Sequence, residues 1–419
     1  MLGLVVPQQN FPGLGNSLVL GIVFVMHVAV AEFTVGAITL AVIMEWRALR
    51  PGHEREARYA RGAANTYYFL FSFGATLAVF AVVFLVGLWS NVWGTVVSVM
   101  LPLFAFAFGL FLVIAPLLVF YRNSWKRLRP RTHALLGTAL ACLQTLFVVL
   151  IVGLDAYLIT PLNGGLVGVN LNPPYWPLLF HRLIGNVSWA ALVFAAYAAL
   201  KLRRRGDAEE RGFQAWAASV NLRIGLVLAL LMPAAGGILV WVLSAFQPGY
   251  FNNLVAGGTA WMLVLQEVFL AVVLVGGNVA LTLEAQWSGG ETRPLDTLSI
   301  PLVLAGMVVA ALPAAVITPN IVALRYAGLG VAVIVTAVHL AARWRSPAQR
   351  TAPAVDTTAT TSALRRARPA LVAVGAFAML TALLMGVVKE SARGHYATYG
   401  ELTQAQAQQP FQPPGSLYP

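Results

Sequence analysis

The chain has 419 residues, 59% of them hydrophobic and 10% charged, where a typical soluble protein is about 25% charged. With a mean hydropathy of +0.77, these figures exclude a soluble globular enzyme, a disordered chain and a nucleic-acid-binding domain, in spite of a net charge of +12. The single cysteine, Cys142, also excludes a disulfide framework, a four-cysteine zinc or iron–sulfur site and covalent haem attachment.

A helix that crosses a bilayer needs about 20 mostly apolar residues. In chain order the stretches that meet this are 17–45, 67–91, 96–120, 134–159, 177–200, 217–243, 258–283, 298–318, 322–342 and 369–388. The expected fold is therefore all-α, a polytopic membrane helical bundle of about ten transmembrane helices. A transmembrane barrel would alternate polar and apolar residues instead. The first span lacks a basic leader and is too long for a cleaved signal.

Lys and Arg fix the expected orientation. Arg47 to Arg61, Arg122 to Arg131, Lys201 to Arg211, Arg293, and Arg343 to Arg368 supply twenty-two of the 27 basic residues, all in alternate loops. Those loops face inward, and both termini are expected outside. The high net charge is thus a topology signal. The stretch 344–368 reads as a basic inner linker, and the Pro-rich tail after about 401 as an extended external segment. The domains expected are 1–245 (six spans), 246–343 (three spans), the linker, and 369–419 (the last span and the tail).

Ionisable groups inside spans are costly and mark function by default. His27 sits deep in the first span and His181 near the outer end of the fifth. Each reads either as a satisfied core residue or as an axial ligand for haem iron. Met262, expected at a depth similar to His181, is either apolar filler or the sulfur of a His/Met pair. Glu32 and Glu267 read as protonated structural groups or as parts of a proton path. Glu390 and Arg393 fit an interfacial ion pair, and Arg182 suits a haem propionate or an anionic lipid. His53, His133 and His339 read as loop or interfacial groups. No zinc motif or phosphate-cradling glycine loop is present.

Three segments resemble subunit I of the cytochrome bd quinol oxidases. The first is HVAVAEFTVGAITLAVIMEW, with His27, Thr34, Gly36, Ile43, Met44 and Glu45 at the family's positions. The second is LNPPYWPLLFH, where the interval from Asn172 to His181 agrees. The third is GVVKESARGHYATYGE, with Glu390, Arg393, Tyr396, Gly400 and Glu401. The resemblance covers about 1–245 and 369–401. It implies that His27 and Glu390 serve a high-spin haem pair and that His181 ligates a low-spin haem b. WML at 261–263 stands in for the family's methionine, with Met262 as second ligand; another alignment uses Arg325 and finds Ala327 there. Two or three haem b groups are implied, close to the outer face.

The departures are specific. Neither the second nor the third span contains an acid, where the family has glutamates. The gap 244–257 is too short for the family's external quinol loop, and two further spans occupy 298–342. The expected function is a haem-b-binding electron-transfer subunit of a respiratory complex in a bacterial inner membrane. Its partners would be other membrane subunits, the lipid bilayer and a periplasmic c-type cytochrome, with no nucleic acid. The alternatives are a terminal oxygen reductase of the bd type, and a haem-free scaffold or transporter.

Overall fold

The computed structural model describes residues 9–161, 172–202, 207–287, 291–312, 322–344 and 358–403. Among them eleven helices form: α1 Asn16–Ala48, α2 Glu54–Leu88, α3 Ser90–Asn123, α4 Pro130–Ile159, α5 Tyr175–Lys201, α6 Ala208–Phe246, α7 Pro248–Val255, α8 Trp261–Trp287, α9 Pro294–Ala310, α10 Val322–Trp344 and α11 Thr358–Ala392. A short hairpin follows, β1 Tyr396–Thr398 against β2 Leu402–Thr403. Nine of the described helices are long and apolar enough to cross a membrane, and α9 is a shorter apolar helix of 17 residues. The chain is a multi-pass membrane protein built as a helical bundle.

Helix limits follow local chemistry. The span expected at 67–91 belongs to a helix that starts at Glu54, because Tyr59, Ala60, Ala63, Ala64 and Tyr67 recur at helical spacing and are buried. Helix α6 likewise starts nine residues before the apolar run, where the Asp207 carboxylate accepts the Glu210 backbone N–H at 2.7 Å. Pro130 opens α4 at a position whose missing N–H costs nothing. Helix α3 is kinked at Met100 (φ −113°, ψ 17°), two residues before Pro102. The span expected at 298–318 is helical only as far as Ala310, and residues 313–321 lie outside the described set. The linker residues 345–357 and the tail 404–419 also lie outside it, and α11 begins at Thr358.

The chain divides into two compact units. The first comprises residues 1–183, 235–254 and 389–419. In it α1 packs on α2 and α4, α3 packs on α2 and α4, and β1 packs on α4. The Asn16 amide of α1 donates to the Leu88 carbonyl at the end of α2 (3.0 Å), and its oxygen accepts the Phe11 N–H (2.8 Å). One side chain thereby joins two helix ends.

The second unit comprises residues 184–234 and 255–388. Its α8, α9 and α10 pack around Leu274, Val303, Met307, Ala310 and Ala332. Small residues bring the backbones close. A Cβ on Gly375 of α11 would lie 2.4 Å from Ala196 Cβ and 2.8 Å from the Leu192 carbonyl oxygen of α5.

Candidate functional site

The first unit holds most of the expected site residues. His27 is half-buried in α1, and its Nδ1 lies 3.1 Å from the Gly74 carbonyl of α2. A carbonyl only accepts, so Nδ1 carries the proton and Nε2 keeps its lone pair. That is the tautomer a metal-ligating histidine needs, with its second nitrogen donating to backbone. The approach is close: a Cβ on Gly74 would lie 3.1 Å from Val30 Cγ1.

His181 is half-buried in α5. The Gly236 backbone of α6 lies beside its ring; a Cβ there would sit 3.4 Å from Cε1 and 3.5 Å from Nδ1. At Gly237 a Cβ would meet nothing within 4 Å. Gly236 thus lets the α6 backbone pass close to the imidazole.

A charged network joins the helices that carry these histidines. Val152 and Ala156 of α4 pack with Leu178 and Leu179 of α5, which turns the intervening Asp155 toward Arg182. One turn on, Ile159 packs with Ala392, which presents the same face of α4 to the end of α11. Asp155 pairs with Arg182 and, at 2.9 Å, with Lys389. Arg182 also holds Glu32 of α1 at 3.2 Å, and Lys389 lies 3.4 Å from Glu390. Glu390 pairs in turn with Arg393. Glu32 therefore meets Arg182, and Glu390 meets Arg393 as the sequence led one to expect. Arg182, anticipated as a propionate or lipid ligand, is engaged by two carboxylates of the protein.

The end of α11 is held from several sides. Tyr250 of α7 donates its hydroxyl to the Lys389 carbonyl (2.9 Å), and Asn253 donates to that of Ala392 (3.1 Å). Burial pushes the Tyr250 phenol above its ordinary pKa. Arg393 Nη1 donates to the Ala397 carbonyl at 2.9 Å. Its Nε–H is buried without a hydrogen-bond partner among the described residues, and burial pulls the guanidinium below its usual pKa. An unused cationic donor beside a half-exposed Glu390 suits an anionic group such as a haem propionate. Gly394 (φ +62°) ends the helix and Gly400 (φ +78°) turns the hairpin, both in the left-handed region.

Met262 belongs to the second unit, half-buried in the first turn of α8. Glu267, further along that helix, has a buried Oε2 without a hydrogen-bond partner among the described residues. Arg325 of α10 donates to the Ala310 carbonyl at 2.8 Å. Among the described residues no three His, Cys, Asp or Glu side chains converge in a way that would hold a metal ion by themselves.

Sequence reasoning missed Asp155 and the inward turn of Lys389. The signal for Asp155 was a lone acid inside an apolar span, four residues from its end. His133 and His339, read as interfacial structural groups near helix ends, are both buried within the protein, and each meets a carboxylate. His133 joins Glu45, which accepts the Tyr121 hydroxyl at 2.6 Å. His339 Nε2 lies 2.9 Å from Asp296, which also pairs with Arg343.

Comparison with known proteins bears on the family and the fold. The pattern of the family described as cytochrome bd terminal oxidase subunit I matches residues 17–256. The fold is similar to that in the structure of bd oxidase from Geobacillus thermodenitrificans, with a TM-score of 0.60 at 16% identity over 94% of this chain and 91% of that one. No curated protein matches. With more than half of its length covered by the family pattern, and with that family's helical fold, the chain belongs to the cytochrome bd terminal oxidase subunit I family.

Proposed function

We propose that the protein is a haem-b-binding electron-transfer subunit of a respiratory complex in a bacterial inner membrane. Its membership of a family of membrane-bound terminal oxidases supports the redox class. The observation that carries the haem reading is His27: its Nδ1 is occupied by the Gly74 carbonyl, so Nε2 is the ligating nitrogen. His181, with the Gly236 backbone beside its ring, is the ligand for a low-spin haem. Glu390 serves a further iron, and Arg393 pairs with a propionate through its unused Nε–H. Met262 enters as a thioether ligand on the WML match alone. Bound haem supplies one-electron transfer at a potential set by its axial ligands.

The chain's own residues do the rest. Apolar helices exclude water, histidines would hold the iron, and the acidic and basic side chains around the site pair with one another. The basic inner loops put both termini outside, so these sites lie toward the external face. The segment 244–257 holds the short helix α7, which pins the end of α11. We therefore propose an external redox protein, such as a periplasmic c-type cytochrome, as electron donor.

The test is the reduced-minus-oxidised spectrum of single variants. His181→Ala removes the low-spin α-band and leaves the remaining haem signal in place; an unchanged spectrum would rule His181 out. Met262→Leu shifts that haem's potential if the thioether is its ligand, and an unshifted potential rejects it.

Family membership favours a second reading, in which the protein itself reduces oxygen. Glu32, half-buried five residues beyond His27, would then lie on the proton route, together with Glu267, whose Oε2 is buried. A carbon monoxide difference spectrum separates the two: a gas-reactive five-coordinate haem belongs to the oxidase reading only.

A further inference from the structure

Asp155 sits on α4, a helix that carries none of the proposed haem ligands. Yet it pairs with cations on two helices that do. Arg182 is the residue after His181, and Lys389 is the residue before Glu390. Arg182 in turn holds Glu32, on the same helix as His27. One carboxylate thus links α1, α5 and the end of α11, each of which bears a proposed ligand. The side chains are well covered, with relative exposures of 15% for Arg182, 17% for Lys389, 18% for Glu32 and 20% for Asp155.

The charges also balance. Glu32, Asp155 and Glu390 supply three negative charges; Arg182, Lys389 and Arg393 supply three positive ones. In a water-poor interior such charges are weakly screened, so a net change of one is felt at any redox centre nearby. Removing a buried partner leaves the opposite charge uncompensated.

We propose that Asp155 is the positioning residue that ties the ligand-bearing helices together and sets the electrostatic balance of the haem sites. This rests on the haem-binding reading above. Asp155 touches no reacting atom. It acts through Arg182 and Lys389, and its negative charge would hold the potential of a haem bound nearby below the value reached without it.

The experiment is a potentiometric titration of the purified holoprotein, with haem quantified per chain for each variant. Asp155→Asn keeps the side-chain size and removes one negative charge, so at least one haem potential rises. Lys389→Met removes one positive charge, so the same potential falls. The double variant restores the balance and returns toward the wild-type value, which is the coupling expected for two groups in contact. A merely structural role would not give opposite signs. If Asp155→Asn loses haem, Asp155→Glu restores it under this proposal, and failure of the glutamate to do so overturns it. Wild-type potentials in both haem-loaded single variants overturn the role of Asp155 and leave the haem reading intact. A haem-free wild type overturns both.

Discussion

Gly306 of α9 and Gly328 of α10 face each other with their backbones in contact. A Cβ on Gly306 would lie 2.6 Å from the Gly328 carbonyl oxygen, and one on Gly328 would lie 2.5 Å from that of Gly306. Neither obstacle is a flexible side chain, so no rotamer change relieves the clash. Gly306→Val and Gly328→Val are each expected to push the helices apart and to destabilise the second unit by about 1–3 kcal/mol, the usual cost of overpacking. Thermal unfolding in detergent measures it; Gly330→Ala, where a Cβ meets nothing within 4 Å, is the control.

In the second unit, the packing of α9 against the end of α10 depends on one buried carboxylate. Asp296 accepts from Arg343 Nε at 2.8 Å and lies 2.9 Å from His339 Nε2. Asn278 spends both amide protons on the Leu274 carbonyl and the Thr336 hydroxyl, so the oxygen it turns to His339 Nδ1, at 2.8 Å, is an acceptor. Both ring nitrogens therefore face acceptors. Arg343→Met leaves Asp296 half-compensated and should cost about 3–5 kcal/mol, as breaking a buried ion pair does. A midpoint unchanged from wild type would contradict this.

In the first unit, Tyr121 of α3 reaches Glu45 of α1 because Gly137 of α4 makes room for its ring; a Cβ there would lie 2.8 Å from Tyr121 Cε2. Tyr121→Phe keeps the ring and strips one donor from a buried carboxylate. A loss of about 1–3 kcal/mol is expected, the penalty for an unsatisfied buried polar group. Denaturant or thermal midpoints of the variant check it.

Gly236→Val presses a branched side chain against the His181 ring, where a Cβ alone would lie 3.4 Å from Cε1. The expected result is a preparation that folds but binds less haem, with the low-spin signal lost first. Gly237→Ala, at a position with open space, is expected to keep wild-type haem content. Equal haem in both variants would remove Gly236 from the site.

Much of the fold was legible because membrane spans advertise themselves by length and apolarity. Helix α2 shows the limit: its first turns are rich in Arg and Glu, and only the recurrence of Tyr59, Ala63 and Tyr67 marks them as helix. The three family segments singled out His27, His181 and Glu390 as candidates, since spacing along one helix is a local property. Pairings between helices were less accessible. Glu390 with Arg393 is a one-turn contact and could be read directly, whereas Asp155 with Lys389 joins residues far apart in sequence. A lone acid in a span announces that it has a partner without saying which. The partners of His133 and His339 were out of reach for the same reason, because those carboxylates lie on other helices.

The measurement that bears most directly on the central claim is pyridine haemochrome quantitation of the purified wild-type protein, paired with its dithionite-reduced-minus-oxidised spectrum. The account predicts haem b at two or three per chain, with a low-spin α-band. A well-folded preparation without haem would contradict it, and the histidine sites would then be structural features of a scaffold.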